Sequence, residues 1–176
     1  MDETAAAAQA QVPKTRGLPP VHLWNPELSG EIDILIRKDG AWVHEGEEIG
    51  RPALVRLFST ILRRDGDETF LVTPVEKWRL RVEDAPFVAV ALTREAEGLT
   101  FTTNVGDQVT AGPDHPIRVA FGEDGTPRPY VHVRGALEAL IARPVFYELA
   151  ELATERAGAL GVESGRAWFA IGEASR

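Results

Sequence analysis

Apolar residues in the first half of the chain change period twice. Ile32, Ile34 and Ile36 alternate with polar neighbours and run into Asp39-Gly40, which predicts two strands around a tight turn. From Pro52 the period lengthens, and Ala53, Leu54, Leu57, Phe58, Ile61 and Leu62 share one helical face. Pro52 suits the first helical position, Arg63 and Arg64 complement the negative end of the helix dipole, and Gly66 marks the stop. The apolar "TFLV" that follows reads as a short buried strand.

The same series recurs towards the C-terminus, in "RPYVHVRGALEALIARPVFYELAELATERAG". A strand leads to the Gly135-Ala136 turn, and "ALEALIA" could continue as strand or as helix. Pro144 decides for a break, because an interior proline disrupts a helix and disfavours helix before it. The expectation is a strand over 136–142 and a helix over 144–157, with Val145, Phe146, Leu149, Leu152 and Ala153 as its apolar stripe. "AWFAIG" resembles one further strand. Laying Arg51-Pro52 on Arg143-Pro144 sets Leu57 on Leu149, Arg64 on Arg156 and Gly66 on Gly158. The shared order of hairpin, Arg-Pro, helix and strand predicts a duplication, with units starting near Ile32 and Tyr130.

Between the repeats lie further alternating segments. "KWRLRVE" puts Trp78, Leu80 and Val82 on one face and Lys77, Arg79 and Arg81 on the other. "PFVAVALTR", "LTFTTNV", "DQVT", "PIRVAF" and the strand from Tyr130 continue the run, with Glu95–Gly98 and "GEDGTP" as turns. Seven short strands from Lys77, then one C-terminal helix, suit a bent antiparallel sheet or partial barrel capped by that helix. The fold class is α+β. The expected organisation is a disordered lead over 1–20, an N-terminal α+β half over 21–76 and a C-terminal half over 77–176.

The segments "WNPELSGEIDILIRKDGAWVHEG", "RPALVRLFSTIL", "LVTPVEKWRLRVEDAPF", "TFTTNVGD" and "PYVHVRGALEALIARPVFYELAEL" together resemble a bacterial family, domain of unknown function 1285. The resemblance spans about Trp24 to Gly172. It implies a duplicated core whose second half is pleckstrin-homology-like. It also implies a ligand site between the halves, for a nucleotide among other candidates, and a role in signal transduction. No catalytic residues come with it.

Composition narrows the chemistry. A formal charge of −8 argues against nucleic acid as a partner, because such affinity rests on cation–phosphate contacts. The chain has no cysteine, which excludes disulfides, thiolate catalysis and cysteine-ligated metals and fits a cytoplasmic location. "MDETAAAAQAQ" is not a signal peptide, and no apolar run reaches membrane-spanning length. His22, His44, His115 and His132 are scattered without the spacing of a zinc helix. His132 reads as a structural histidine in a strand and His115 as an exposed turn residue. "HEGEE" and "DGDE" read as solvated loops and do not match a calcium-binding loop. No cofactor or stoichiometric transition metal is expected. No serine stands in a nucleophile elbow, and no phosphate-binding glycine loop occurs. A hydrolase built on Glu76 and Lys77 has little behind it, so the inventory favours a binding protein over an enzyme.

One surface carries the binding expectation. Folding "KWRLRVE" onto "FVAVALT" through Asp84–Pro86 sets Trp78 opposite Leu92, Leu80 opposite Val90 and Val82 opposite Val88. The reverse face then aligns Lys77-Thr93-Thr100, Arg79-Ala91-Thr102 and Arg81-Ala89-Asn104. Its basic edge could attract an anion while Thr and Asn orient it across a floor of small residues. An ordinary solvated face is the plainer alternative. Arg51 and Arg143 sit where a helix start wants a side-chain acceptor, and a bound phosphate would satisfy the free amides there, as water also would. The candidate ligand-binding residues are Thr73, Glu76, Lys77, Arg79, Arg81, Thr102, Asn104, Arg134 and Arg143. The leading expectation is a non-catalytic sensor for an anionic small molecule, with Thr73, Glu76 and Lys77 as walls of a cleft between the halves. The alternative is a protein-interaction module using the sheet and C-terminal helix.

Overall fold

A computed structural model describes residues 17–174. The expected disordered lead over 1–20 therefore lies almost wholly outside the described residues. The chain divides into two compact units, one ending at Asp84 and the other beginning at Ala85. Together they make a mostly-β α+β fold with two six-stranded sheets, the second curled into a half-barrel, and two short helices.

In the N-terminal unit a 3-10 turn, Val21–Leu23, precedes β1 (Gly30–Ile36), β2 (Trp42–His44) and β3 (Glu47–Glu48). Helix α1 (Pro52–Ser59) follows, then β4 (Leu62–Asp65), β5 (Glu68–Val72) and β6 (Lys77–Val82). The sheet order is β3-β2-β1-β6-β5-β4, with β1 and β6 parallel at its centre. Asp39-Gly40 turns the β1–β2 hairpin as expected: Gly40 has φ +90° and the Asp39 carboxylate accepts the Ala41 N–H at 3.0 Å. Phe58 of α1 stacks on Trp42 of β2, ring centroids 6.4 Å apart, beside fully buried Ile34 and Ile36.

Helix α1 ends earlier than its periodicity suggests. The hydroxyls of Ser59 and Thr60 donate back to the Arg56 and Leu57 carbonyls, both at 2.6 Å. Arg63 and Arg64 lie in β4, not at a helix end, and Gly66 (φ +61°) closes the two-residue β4–β5 turn between paired Asp65 and Glu68. Ile61 and Leu62 are buried, so the apolar stripe is real, but a turn presents Ile61 and the start of β4 presents Leu62.

The C-terminal unit runs β7 (Phe87–Glu95), β8 (Gly98–Thr103), β9 (Gln108–Thr110), β10 (Ile117–Phe121), β11 (Pro127–Arg134) and β12 (Leu137–Ile141). Helix α2 (Arg143–Glu151) follows, then β13 (Thr154–Arg156), β14 (Ala159–Ser164) and β15 (Ala167–Glu173) as a separate three-stranded sheet. The strand and helix around Pro144 fall where the proline argument places them. The helix stops at Glu151, however, because Ala157 (φ +48°) and Gly158 (φ +82°) turn the β13–β14 hairpin. The half-barrel is ordered β10-β11-β12-β7-β8-β9, and β12 with β7 is a parallel pair, so the sheet is mixed rather than antiparallel. Phe87, Phe101, Val131, Ala139 and Leu149 are fully buried in this unit. Ser164 joins two of its sheets, accepting the Leu99 N–H and donating to the Ala111 carbonyl, both at 2.8 Å.

The largest correction concerns β6. It pairs with β5 and β1, setting Trp78 opposite Leu71 and Gly30, and makes no hairpin with β7. The division therefore follows Asp84 rather than Glu76. A strand with one alternating pattern satisfies either neighbour equally, and a short proline-containing link reads as a turn although here it joins two units. Within β7–β8 the expected register holds for Leu92–Phe101, Thr93–Thr100 and Ala91–Thr102. A bulge at Val90 then pairs Ala89 with Thr103 rather than Asn104.

Candidate functional site

The basic stripe does form, but on the N-terminal sheet and fully answered by carboxylates. The Lys77 ammonium lies 3.2 Å from Asp65 and 4.1 Å above the Phe70 ring. Arg79 pairs with Glu31 and Glu68, each at 3.2 Å, and Arg81 with Asp33 at 2.7 Å. Burial disfavours the Asp65 charge, yet hydrogen bonds from Arg63 and Lys77 and their positive charges outweigh it and hold the carboxyl below its ordinary range. A shallow recess beside Arg79 and Arg81 is walled by Glu31 and Asp33, which would repel an anion.

The other sequence candidates separate. Thr73 is buried, and its hydroxyl accepts the N–H groups of Val75 and Glu76 at 3.3 and 3.0 Å, shaping the loop before β6. Glu76 is half-buried with one carboxylate oxygen unpartnered. Thr102 and Asn104 belong to the second unit and not to the sheet that carries Lys77, Arg79 and Arg81. Asn104 closes the end of the β7–β8 pair, its Oδ1 accepting the Val88 N–H at 3.0 Å. Arg134 is paired with Asp107 at 2.9 Å over the Phe87 ring.

Arg143 differs from these cations. It begins α2, is exposed, and among the described residues is held in no ion pair. It lines a groove of about 480 Å³ between the start of β11, the end of β12 and the first turns of α2. Ala142 precedes the helix and offers no side-chain acceptor, so the first-turn amides lack a side-chain cap. Arg128 lines the same groove, as do Phe146 and Tyr147, the latter 60% exposed. Thr126, at the end of the β10–β11 turn, also lines the groove, and its N–H donates to Asp124 at 2.9 Å. That bond, with Arg128 nearby, holds the Asp124 carboxyl below its ordinary range. The groove thus combines two guanidinium groups, a free helix start and an aromatic wall, a set suited to a phosphate attached to something flat. Sequence reasoning found Arg143 but missed Arg128, because "TPRP" carries only turn signals.

Strand pairing also brings together two histidines that the sequence keeps apart. His115, in the loop before β10, and His132, in β11, have their Nδ1 atoms 3.2 Å apart. Among the described residues no group of three or more His, Asp or Glu side chains is placed to hold a metal ion.

These features define a two-unit, mostly-β protein with an arginine-flanked groove on its half-barrel. The chain belongs to the DUF1285 family: residues 19–85 match the N-terminal domain of unknown function DUF1285, and residues 86–171 match the C-terminal domain of that family. It is similar to the crystal structure, at 2.50 Å resolution, of a DUF1285 family protein from Silicibacter pomeroyi DSS-3. The two are 49% identical over 97% of this chain and 94% of that one, with a TM-score of 0.89. A DUF1285 family protein from Shewanella baltica OS155, solved at 1.40 Å, is 28% identical over 67% of this chain and 90% of that one, with a TM-score of 0.55. No curated protein matches the chain. No helix of the described residues is long and apolar enough to cross a membrane.

Proposed function

We propose that this protein is a non-catalytic binding module for a small phosphate-bearing anion, with a nucleotide as the leading class, acting as a sensor in bacterial signalling. The observation that carries the reading is Arg143, a cation that makes no ion pair among the described residues and lines, with Arg128, a groove of about 480 Å³. That volume is within the usual range for small-molecule sites. The guanidinium groups would take the phosphate, and Tyr147 would offer a face to a base or other planar group. Every part of this arrangement lies in the C-terminal unit, so the reading needs no cleft between the halves.

The duplication and the pleckstrin-like character belong to the same proposal. Both units contain a hairpin, a helix with proline in its first turn, and a three-stranded meander, in that order. That shared order supports descent from one repeated element, and a half-barrel with a helix against it supports the pleckstrin-like reading. The absence of cysteine supports a cytoplasmic location.

The test is a thermal-shift screen of nucleotides and inorganic phosphate, followed by calorimetry on the hits. Replacing Arg143 by Gln should weaken binding by about one to two decades, the loss of a charge-assisted hydrogen bond, while leaving stability almost unchanged. Equal affinity in Arg143→Gln would refute this site. A second reading, a protein-interaction module, draws on Phe121, which is 58% exposed on edge strand β10 beside an apolar hollow lined by Val119 and Ile171. A silent screen, with a protein partner recovered through that face, would favour it.

A further inference from the structure

We infer that His115 and His132 form a binding site for a late first-row divalent cation of the zinc, nickel or copper class. This is independent of the anion groove. Tetrahedral zinc with Zn–N bonds of about 2.0–2.1 Å spaces two ligand nitrogens by roughly 3.3 Å. The two Nδ1 atoms already stand 3.2 Å apart, with the ring planes tilted by 33°.

The protonation pattern suits a metal ligand. His132 Nε2 lies 2.7 Å from the Gly135 carbonyl, which can only accept, so the ring carries its proton there. Its Nδ1 is then a lone pair aimed at His115. A ligand histidine whose other ring nitrogen donates to a backbone carbonyl is the usual second shell of a metal site. In the metal-free protein the His115 Nδ1–H bridges the gap, facing His132 Nδ1 and also the His132 carbonyl, 3.2 Å away. A divalent cation takes the place of that proton, which moves to His115 Nε2, so that both ligands are neutral imidazoles.

The backbone presets the pair. Gly112 and His115 exchange two hydrogen bonds of 3.1 Å, and the His132 N–H donates to the Pro116 carbonyl at 3.1 Å. A register shift between His132 and Arg134, with Gly135 at φ +54°, brings the Gly135 carbonyl within reach of the ring. Glu138, the cross-strand partner of His132, is not a third ligand: Arg118 engages both of its oxygens at 2.8 Å. Both histidines are half-buried, so water or an outside anion completes the coordination. Neutral imidazoles select this metal class over calcium and magnesium.

The experiment uses tag-free, chelator-treated full-length protein titrated with zinc or nickel chloride by calorimetry. One ion per chain is expected, weakened at least about tenfold by either His115→Ala or His132→Gln. A double variant, His22→Ala with His44→Ala, should bind as the wild type does, and magnesium should give no heat. Imidazole nitrogen NMR on the unmutated protein, which does not depend on any variant folding, should show metal shifts at His115 and His132 alone. Absence of binding, binding that survives both single variants, or shifts centred on His22 or His44 would each overturn the proposal.

Discussion

Asp65 shows how a single side chain couples this fold to acid. It sits between Arg63, at 3.1 Å, and Lys77, at 3.2 Å, and those cations lower its pKa against the opposing effect of burial. A folded-state value below the ordinary 3.8 means the carboxylate stabilises the fold fully above that pH and loses its contribution as pH falls through the depressed value. Its side chain is 42% exposed, so solvent screens much of the effect. Asp65→Asn should be less stable than wild type in urea near neutral pH, with the gap closing in acid. A gap independent of pH would mean the pairing is only geometric. Nothing in the sequence discloses this partnership: "RRDG" carries the signals of a helix end, and alternation leaves Lys77 on a strand face with no carboxylate assigned to it. Arg143 was legible because its proline neighbour fixes a helix start whatever packs around it.

At the scale of elements, one hydroxyl holds three segments. Ser164 ends β14, and its Oγ satisfies the backbone of Leu99 in β8 and of Ala111 after β9. Ser164→Ala should therefore cost about 1–3 kcal/mol, since two buried backbone groups lose their partner. Denaturant unfolding measures this directly, and an unchanged midpoint would show that the segments are held by other contacts. The closeness of this junction also explains Gly165, where an added Cβ would meet the Ala111 carbonyl oxygen at 2.6 Å on a backbone with φ +57°. Strand pattern, the Asp39-Gly40 turn and the break at Pro144 were readable because local residues dictate them. The helix ends were not. At Gly66 and Gly158 the same glycine signal marks either a helix stop or a two-residue hairpin, and only partner strands distinguish them.

For the molecule as a whole, charge sets which anions can be partners. A net charge of −8 repels an extended polyanion, whereas a small phosphate feels mainly the nearest guanidinium groups once salt screens beyond about 8–10 Å. An electrophoretic assay with duplex DNA near physiological salt should show no shift. A salt-sensitive shift would point to a basic surface that pairwise ion pairing conceals. The overall plan of strands and helices was legible from periodicity, but the assignment of β6 to a unit was not. Alternation names a strand's faces without naming its neighbours, so the trough built on a β6–β7 hairpin was lost with that pairing.

The turn from Gly122 to Thr126 offers a practical handle. Its last residue, Thr126, lines the groove, Glu123 three residues earlier is exposed, and the chain contains no cysteine. A thiol introduced at Glu123 would be the sole attachment point for an environment-sensitive fluorophore. The labelled protein would then be an optical reporter with which cell extracts can be surveyed for a small molecule that enters the groove, a changed signal being the positive result and a constant one the negative.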